Sequence, residues 1–331
     1  MTIMYHYRQL AYAFLKMLVA TAFLLLAAQV LSSCEHKDLC YEHPHRQNVE
    51  VVFDWSEAPD ANPTCMSLYL YPEDGGAPLR YGLTDRNGGC ISVAPGVYDA
   101  ICMNADKDTH RIKGKEKREN FEITSAETRV LQGFLATMAQ SAPRAAETEK
   151  ERVMMEPEML WTDHVERIIV KNSGEKTYIR MKPQKRIKRC TVEIRNIENI
   201  HGVNAISASV SGWSGGWFAG INELSEEKVT IPFEVNTDVA KSVAMGGFNL
   251  FGHCPGAPGK HKLMVYAQLI DGKNWYYEKD VTDQVNDPAQ DQNHIRIVLD
   301  KLTLPKPAPG VGGGLQPSIN KWNEINIEIQ M

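Results

Sequence analysis

Residues 262–281, KLMVYAQLIDGKNWYYEKDV, set two strand-like runs on either side of Asp271-Gly272-Lys273-Asn274. That four-residue break has the chemistry of a tight turn. Glycine takes positive φ without steric penalty, and Asp and Asn side chains bond the backbone two residues on. The runs predict a β-hairpin. Trp275, Tyr276 and Tyr277 alternate faces along it, so at least one aromatic ring is expected to be exposed.

The same period of two recurs outward from the hairpin. Cys190, Val192 and Ile194 alternate with Thr191, Glu193 and Arg195, and residues 205–211 and 294–299 read as further strands. Residues 229–235 are interrupted by Pro232 and read as an edge strand, because proline offers a ladder no donor. In the first half Val49, Val51 and Phe53 alternate with Glu50, Val52 and Asp54. Met66, Leu68 and Leu70 alternate with Ser67, Tyr69 and Tyr71, and turn residues cluster at 73–76, 85–89 and 94–96. Residues 128–138 fit either helix or strand, and 141–152 read as a surface loop or short helix. Antiparallel strands with one wet face pair off into packed sheets, so the chain is expected to be all-β, two β-sandwich domains in tandem. Their expected limits are 48–165 and 166–304. Residues 305–331 then form a Gly/Pro-rich link and a terminal strand packing on the second domain.

The N-terminus carries a different signal. Arg8 and Lys16 precede the unbroken apolar run 17–28, MLVATAFLLLAA, which has a signal peptide's layout. It is short of the roughly 20 residues a membrane-spanning helix needs. Leu31-Ser32-Ser33-Cys34 follows and resembles the bacterial lipobox. Residues 1–33 are therefore expected to be removed, Cys34 to carry acyl chains, and 34–47 to be a lipidated tether to the membrane. His36, Cys40, His43 and His45 have the donor types of a zinc site. The tether lacks the apolar content to build a second shell around them, so no metal is expected.

Composition narrows the function classes. Hydrophobic residues make up 43% of the 331, enough for real cores, and the net charge of −5 gives nucleic acid no electrostatic footprint. The basic runs 111–118 and 182–189 read as solvated faces. Besides Cys34 there are Cys40, Cys65, Cys90, Cys102, Cys190 and Cys254, whose pairing the sequence leaves open. Cys90 and Cys102 flank Ala94-Pro95-Gly96 almost symmetrically and are expected to face one another across a hairpin. Cys65 and Cys190, in apolar alternation, read as buried free thiols.

Catalytic motifs are few. Residues 212–216, GWSGG, satisfy G-x-S-x-G, with Asp238, His253 and His261 downstream as nominal partners for Ser214. A nucleophile elbow needs a strand that turns into a helix, and no helical stretch follows Ser214. A glycine-rich bend is the reading preferred. There is no HExxH, P-loop, dinucleotide fingerprint or EF-hand, so no cofactor is implied. Trp213, Trp217 and Phe218 could stack on sugar rings, which keeps a glycan-binding surface protein as the alternative function. At the C-terminus Ile325, Ile327 and Ile329 alternate with polar residues after a flexible leash. Such a strand either closes its own sandwich, the preferred reading, or adds to a neighbour's sheet.

Four phrases carry a family resemblance: residues 197–217 (IENIHGVNAISASVSGWSGGW), 271–285 (DGKNWYYEKDVTDQV), the ending 312–331 (GGGLQPSINKWNEINIEIQM), and 31–40 (LSSCEHKDLC). Together they resemble the fimbrial-anchor lipoproteins of Bacteroidota, the FimB-type members of the fimbrillin-like superfamily, and their relatives. The resemblance implies two transthyretin-like β-sandwich domains on a lipid anchor in the outer membrane, at the cell surface. It also implies a non-enzymatic role in fimbrial anchoring or adhesion with a pilin subunit as partner. No ligand-binding residue carries over. Residues 111–157 depart most from what a dedicated pilus anchor would show.

Overall fold

The computed structural model describes residues 14–21, 45–105, 107–131, 133–173, 175–255, 259–308 and 321–325. The chain divides into two compact units, Met1–Pro44 and His45–Met331. In the first, residues 14–21 are helical and exposed, and the Thr21 hydroxyl donates to the carbonyls of Met17 and Leu18, 3.0 Å each. Among the described residues no helix is long and apolar enough to cross a membrane. The expected cleavage segment, Cys34 and nearly all of the tether lie outside the described residues.

The second unit is built from strands. Its first half supplies β1 (Gln47–Phe53), β2 (Met66–Pro72), β3 (Leu79–Leu83), β4 (Gly88–Val93), β5 (Gly96–Asn104), β6 (Arg111–Lys113), β7 (Glu122–Thr124), β8 (Arg152–Val153), β9 (Trp161–Val170), β10 (Thr177–Met181) and β11 (Gln184–Lys185). Two sheets, ordered β10-β1-β4 and β11-β9-β5-β2-β3, close on one core. The inward positions of the period-two pattern fill it: Val49, Val51 and Phe53 from β1 meet Met66, Leu68 and Leu70 from β2. β9 pairs with β5 from Val170↔Gly96 to Thr162↔Met103, and β10 runs parallel to β1. A boundary near 165 would cut β9 in the middle, so the first half reaches 182–187.

The second half supplies β12 (Lys188–Glu198), β13 (Val203–Ser214), β14 (Gly216–Phe218), β15 (Glu223–Leu224), β16 (Lys228–Asp238), β17 (Val243–Leu250), β18 (Lys262–Leu269), β19 (Asn274–Asp280), β20 (His294–Thr303) and β21 (Trp322–Glu324). One sheet, ordered β20-β12-β17-β16-β13-β18-β19-β21, wraps around a second core containing Val192, Ile194, Val210, Phe248, Val265 and Ile297. β18 and β19 form the expected hairpin, with Gly272 at φ 81 and Lys273 N–H donating to the Asp271 carboxylate at 3.1 Å. Trp275 and Tyr276 are half-buried and Tyr277 is buried, so no ring of the three stands free.

β16 is not an edge. It pairs with β13 through Glu234 on one side; on the other it pairs with β8 at Val229 and Thr230 and with β17 from Val235. Pro232 falls in the interval between β8 and β17, where a missing donor breaks no ladder bond.

The two halves are interleaved. A third sheet, ordered β15-β14-β7-β6, takes two strands from each half, with Gly216 opposite Thr124 and Trp217 opposite Ile123. It covers a core of Tyr69, Tyr71, Ile101, Phe121, Ile123, Leu160, Ile187 and Phe251. Close approach dictates glycine here, since a Cβ on Gly220 would lie 1.9 Å from the Arg118 carbonyl oxygen. Residues 125–158, expected in the first domain, cover the second instead. Val130, Leu131, Leu135 and Ala145 pack on Met264 and Tyr266 of β18, and β8 joins β16.

The five described cysteines, Cys65, Cys90, Cys102, Cys190 and Cys254, are free. Cys90 and Cys102 do not face one another, because β4 and β5 belong to opposite sheets of the sandwich. Cys90 is exposed and Cys102 buried, and burial raises the Cys102 thiol well above its usual range. Cys65 is half-buried and Cys190 fully buried, with burial pushing the Cys190 thiol up to about 12.

Candidate functional site

Trp213, Ser214, Trp217 and Phe218 all lie where β13 runs into β14. β13 carries a bulge between Val210 and Trp213, with Gly212 at φ 88. A Cβ there would sit 2.5 Å from the Lys260 carbonyl oxygen and in a conformation that other residues resist. The bulge turns Trp213 fully into the second core. Its ring centroid lies 4.6 Å from that of His261, 5.7 Å from His253 and 6.0 Å from Phe248. Ser214 is buried as well, and its hydroxyl donates to the Ser225 carbonyl at 2.7 Å. The chain then enters β14, with no helix behind the serine.

His261 is as deeply committed. Its Nδ1 lies 2.9 Å from the Ser211 carbonyl oxygen, and since a carbonyl only accepts, Nδ1 carries the proton. Burial holds its pKa down at about 4, so the ring is neutral at pH 7. His253 is lowered in the same direction, also by burial. Asp238 pairs with Lys241 at 2.8 Å in the turn that follows β16. The hydroxyl of Ser214, the imidazole of His261 and the carboxylate of Asp238 thus answer to three different partners and form no relay.

Nor do the three aromatics form a platform. Trp213 belongs to the second core. Trp217 belongs to the core shared by the two halves, with the Arg186 guanidinium 4.7 Å from its ring centroid. Phe218 is half-buried in the third sheet, opposite Glu122 and Glu223. Neighbouring positions on a bent strand point to different sides, so closeness in sequence does not assemble them.

The C-terminal strand is the more open feature. β21 runs parallel to β19, with Trp322 opposite Asn274 and Glu324 opposite Tyr276; the Ile325 N–H donates to the Tyr276 carbonyl at 2.8 Å. Ile325 packs at the margin of the second core; Ile327 and Ile329 lie outside the described residues. Trp322 points the other way, edge-on to Tyr266 at 5.5 Å, in the cluster that includes Leu131, Leu135 and Ala145. The sequence pointed to the alternating isoleucines and gave no prominence to Trp322. The signal available was an aromatic on the opposite phase of the same alternation.

The segment over Trp322 is tightly organised. The Arg144 guanidinium donates to the carbonyls of Thr148 (2.9 Å) and Glu151 (2.7 Å) and to the Thr230 hydroxyl (3.1 Å). Tyr266 donates to the Pro143 carbonyl at 2.8 Å. The Glu151 carboxylate accepts from Gly212 N–H and from the Thr230 hydroxyl, 3.0 Å each, and burial raises its pKa. Arg152 forms a bidentate pair with Glu227, which holds that carboxyl below its ordinary range.

The profile of a family described as a domain of unknown function, DUF5119, matches residues 33–234, more than half of the chain. The chain belongs to the DUF5119 family. A relative from Bacteroides ovatus, named "Putative fimbrium anchoring subunit Fim4B", is 23% identical over 92% of this DUF5119 chain and 96% of its own length. Among solved structures, a protein described as a "putative adhesin" from Bacteroides ovatus superposes with a TM-score of 0.63 at 19% identity. That match covers 84% of this chain and 99% of the other, and it shares the fold. The fimbrial anchor protein Mfa2 from Porphyromonas gingivalis matches with a TM-score of 0.47 at 14% identity, over 77% of this chain and 90% of its own.

Proposed function

We propose that this chain is a non-enzymatic protein of the bacterial cell surface acting in fimbrial anchoring or adhesion. In this reading acyl chains on Cys34 hold it at the outer membrane and a pilin subunit joins it by β-strand addition. The observation that carries the reading is co-linearity. A relative named as a fimbrium anchoring subunit aligns with 92% of the chain and 96% of its own length, so the whole body is shared rather than one module. The LSSC motif at 31–34 supports the lipid anchor. The burial and prior bonding of Ser214 and His261 support an inert body. Strand addition is supported by the place of the terminal strand: among the described residues β21 pairs with Asn274, Trp275 and Tyr276 of β19, at the end of the sheet opposite β20. A glycan-binding role would need an open aromatic platform, which Trp213, Trp217 and Phe218 do not make.

The test is purification from membranes of intact cells after mild crosslinking, with mass spectrometry of the N-terminal peptide and of the crosslinked species. The expected result is an acylated Cys34 as the first residue and a pilin subunit crosslinked to the chain. An unmodified Cys34 thiol, recovery in the cytosol, or crosslinks without any pilin would refute it.

A further inference from the structure

The large second-half sheet ends at β20, which pairs with β12 on one side only. On its outer side the backbone of every second residue, Arg296 and Val298 among them, faces away from the sheet. Both are fully bonded, and by side chains. The Gln284 amide donates to the Val298 carbonyl at 3.0 Å and accepts from the Val298 N–H at 2.8 Å. The Gln290 amide does the same for Arg296, donating to its carbonyl at 2.7 Å and accepting from its N–H at 2.8 Å. A carboxamide has the donor and acceptor of a peptide group, so each glutamine stands in for one residue of a neighbouring strand.

The segment that carries them is fixed in place. Val285 is fully buried in the second core at the end of the short helix Thr282–Val285, directly after Gln284. Gln290 also donates to the Gln284 carbonyl at 2.8 Å, tying the two together. His294 N–H, at the start of β20, is taken by the Asp291 carbonyl at 2.9 Å.

Bare, this edge would be a good template. Residues 294–300, HIRIVLD, alternate regularly and are rich in β-branched residues, and Ile295, Ile297 and Leu299 are buried on the inner face. The edge is also self-complementary. An antiparallel pairing of two copies about Ile297 sets Arg296 opposite Val298 and His294 opposite Asp300, with no like charges facing.

We propose that Gln284 and Gln290 form a guard that closes the β20 edge against pairing with a second copy of this chain. The proposal is independent of the fimbrial reading, and its test involves no pilin.

The experiment is the double variant Q284A/Q290A of the full chain, followed by amide hydrogen exchange and sedimentation velocity across a concentration series. Exchange at Arg296 and Val298 is expected to rise by about tenfold or more while Val192 and Phe248 in the ladder interior keep their protection. Self-association should appear with rising concentration. Adding Val298→Pro, which removes an edge donor again, should return the chain to monomer without restoring the glutamines. Unchanged exchange at both amides would overturn the guard, as would freed amides in a chain that stays monomeric throughout. Should the double variant fail to fold, the unsubstituted chain decides. Slow exchange at Arg296 and Val298 there, lost one residue at a time in Q290A and Q284A, supports the guard, and fast exchange refutes it.

Discussion

Acidification offers a direct reading of the second core, because His261 is buried with its Nδ1–H on the Ser211 carbonyl. Its pKa is about 4 in the folded chain against an ordinary value of 6.5. The folded value is depressed, so the unfolded chain binds the proton first. Stability is therefore fully present above pH 6.5, falls as pH drops from 6.5 toward 4, and changes no further from this group below that. The difference corresponds to about 3 kcal/mol, lost at close to 1.4 kcal/mol per pH unit in mid-window. His253, also lowered by burial, acts in the same sense. Glu151 acts against it, since burial raises its pKa above 4.5 and protonation relieves it as pH falls. Asp280, held at about 2, stabilises the fold throughout this window and loses that contribution only as pH falls below 3.8. The assay is denaturant unfolding at closely spaced pH values between 7 and 4, for the parent chain and for His261→Gln, which keeps an amide donor but does not titrate. The variant should be less stable at pH 7 yet lose less on acidification, so the two curves converge. Parallel curves would refute the assignment of the acid sensitivity to His261.

Trp322→Ala should loosen the terminal strand. Removing a half-buried indole costs about 2 kcal/mol, and the Ile325 amide should exchange faster while β18 stays protected. Phe121→Ala, at a fully buried position in the core between the halves, should cost about 3 to 5 kcal/mol by denaturant titration and open residues 111–124 to limited proteolysis. Gly220→Ala places a methyl group 1.9 Å from a backbone oxygen and should lower the melting temperature by more than a typical surface change, with the third sheet the first to exchange.

Local chemistry was legible in the sequence. The turn at 271–274 closes where glycine and aspartate place it, and the alternations at 49–53 and 190–195 are strands whose inward residues fill the two cores. What escaped was long-range. Residues 128–138 fitted two states because their apolar side chains meet β18, more than a hundred residues away, and not a neighbour in sequence. Pro232 signalled an edge correctly only in the local sense, since the strand changes partners around it. Cys90 and Cys102 are symmetric about a turn that passes between sheets rather than folding one back on itself. Trp213 lies inside because of a bulge at Gly212, which the motif G-x-S-x-G disguises. Cys34 and the tether lie outside the described residues and rest on the sequence alone.

The shared third sheet has a consequence for biosynthesis. Ile123 pairs with Ile112 inside its own hairpin, but its second ladder partner, Trp217, comes nearly a hundred residues later, so a growing polypeptide leaves one edge of that greasy hairpin and the neighbouring Phe121 uncovered until then. A chaperone that shields extended apolar segments would be needed most in that interval, and translation stalled before residue 216 should leave 111–124 cleavable by protease.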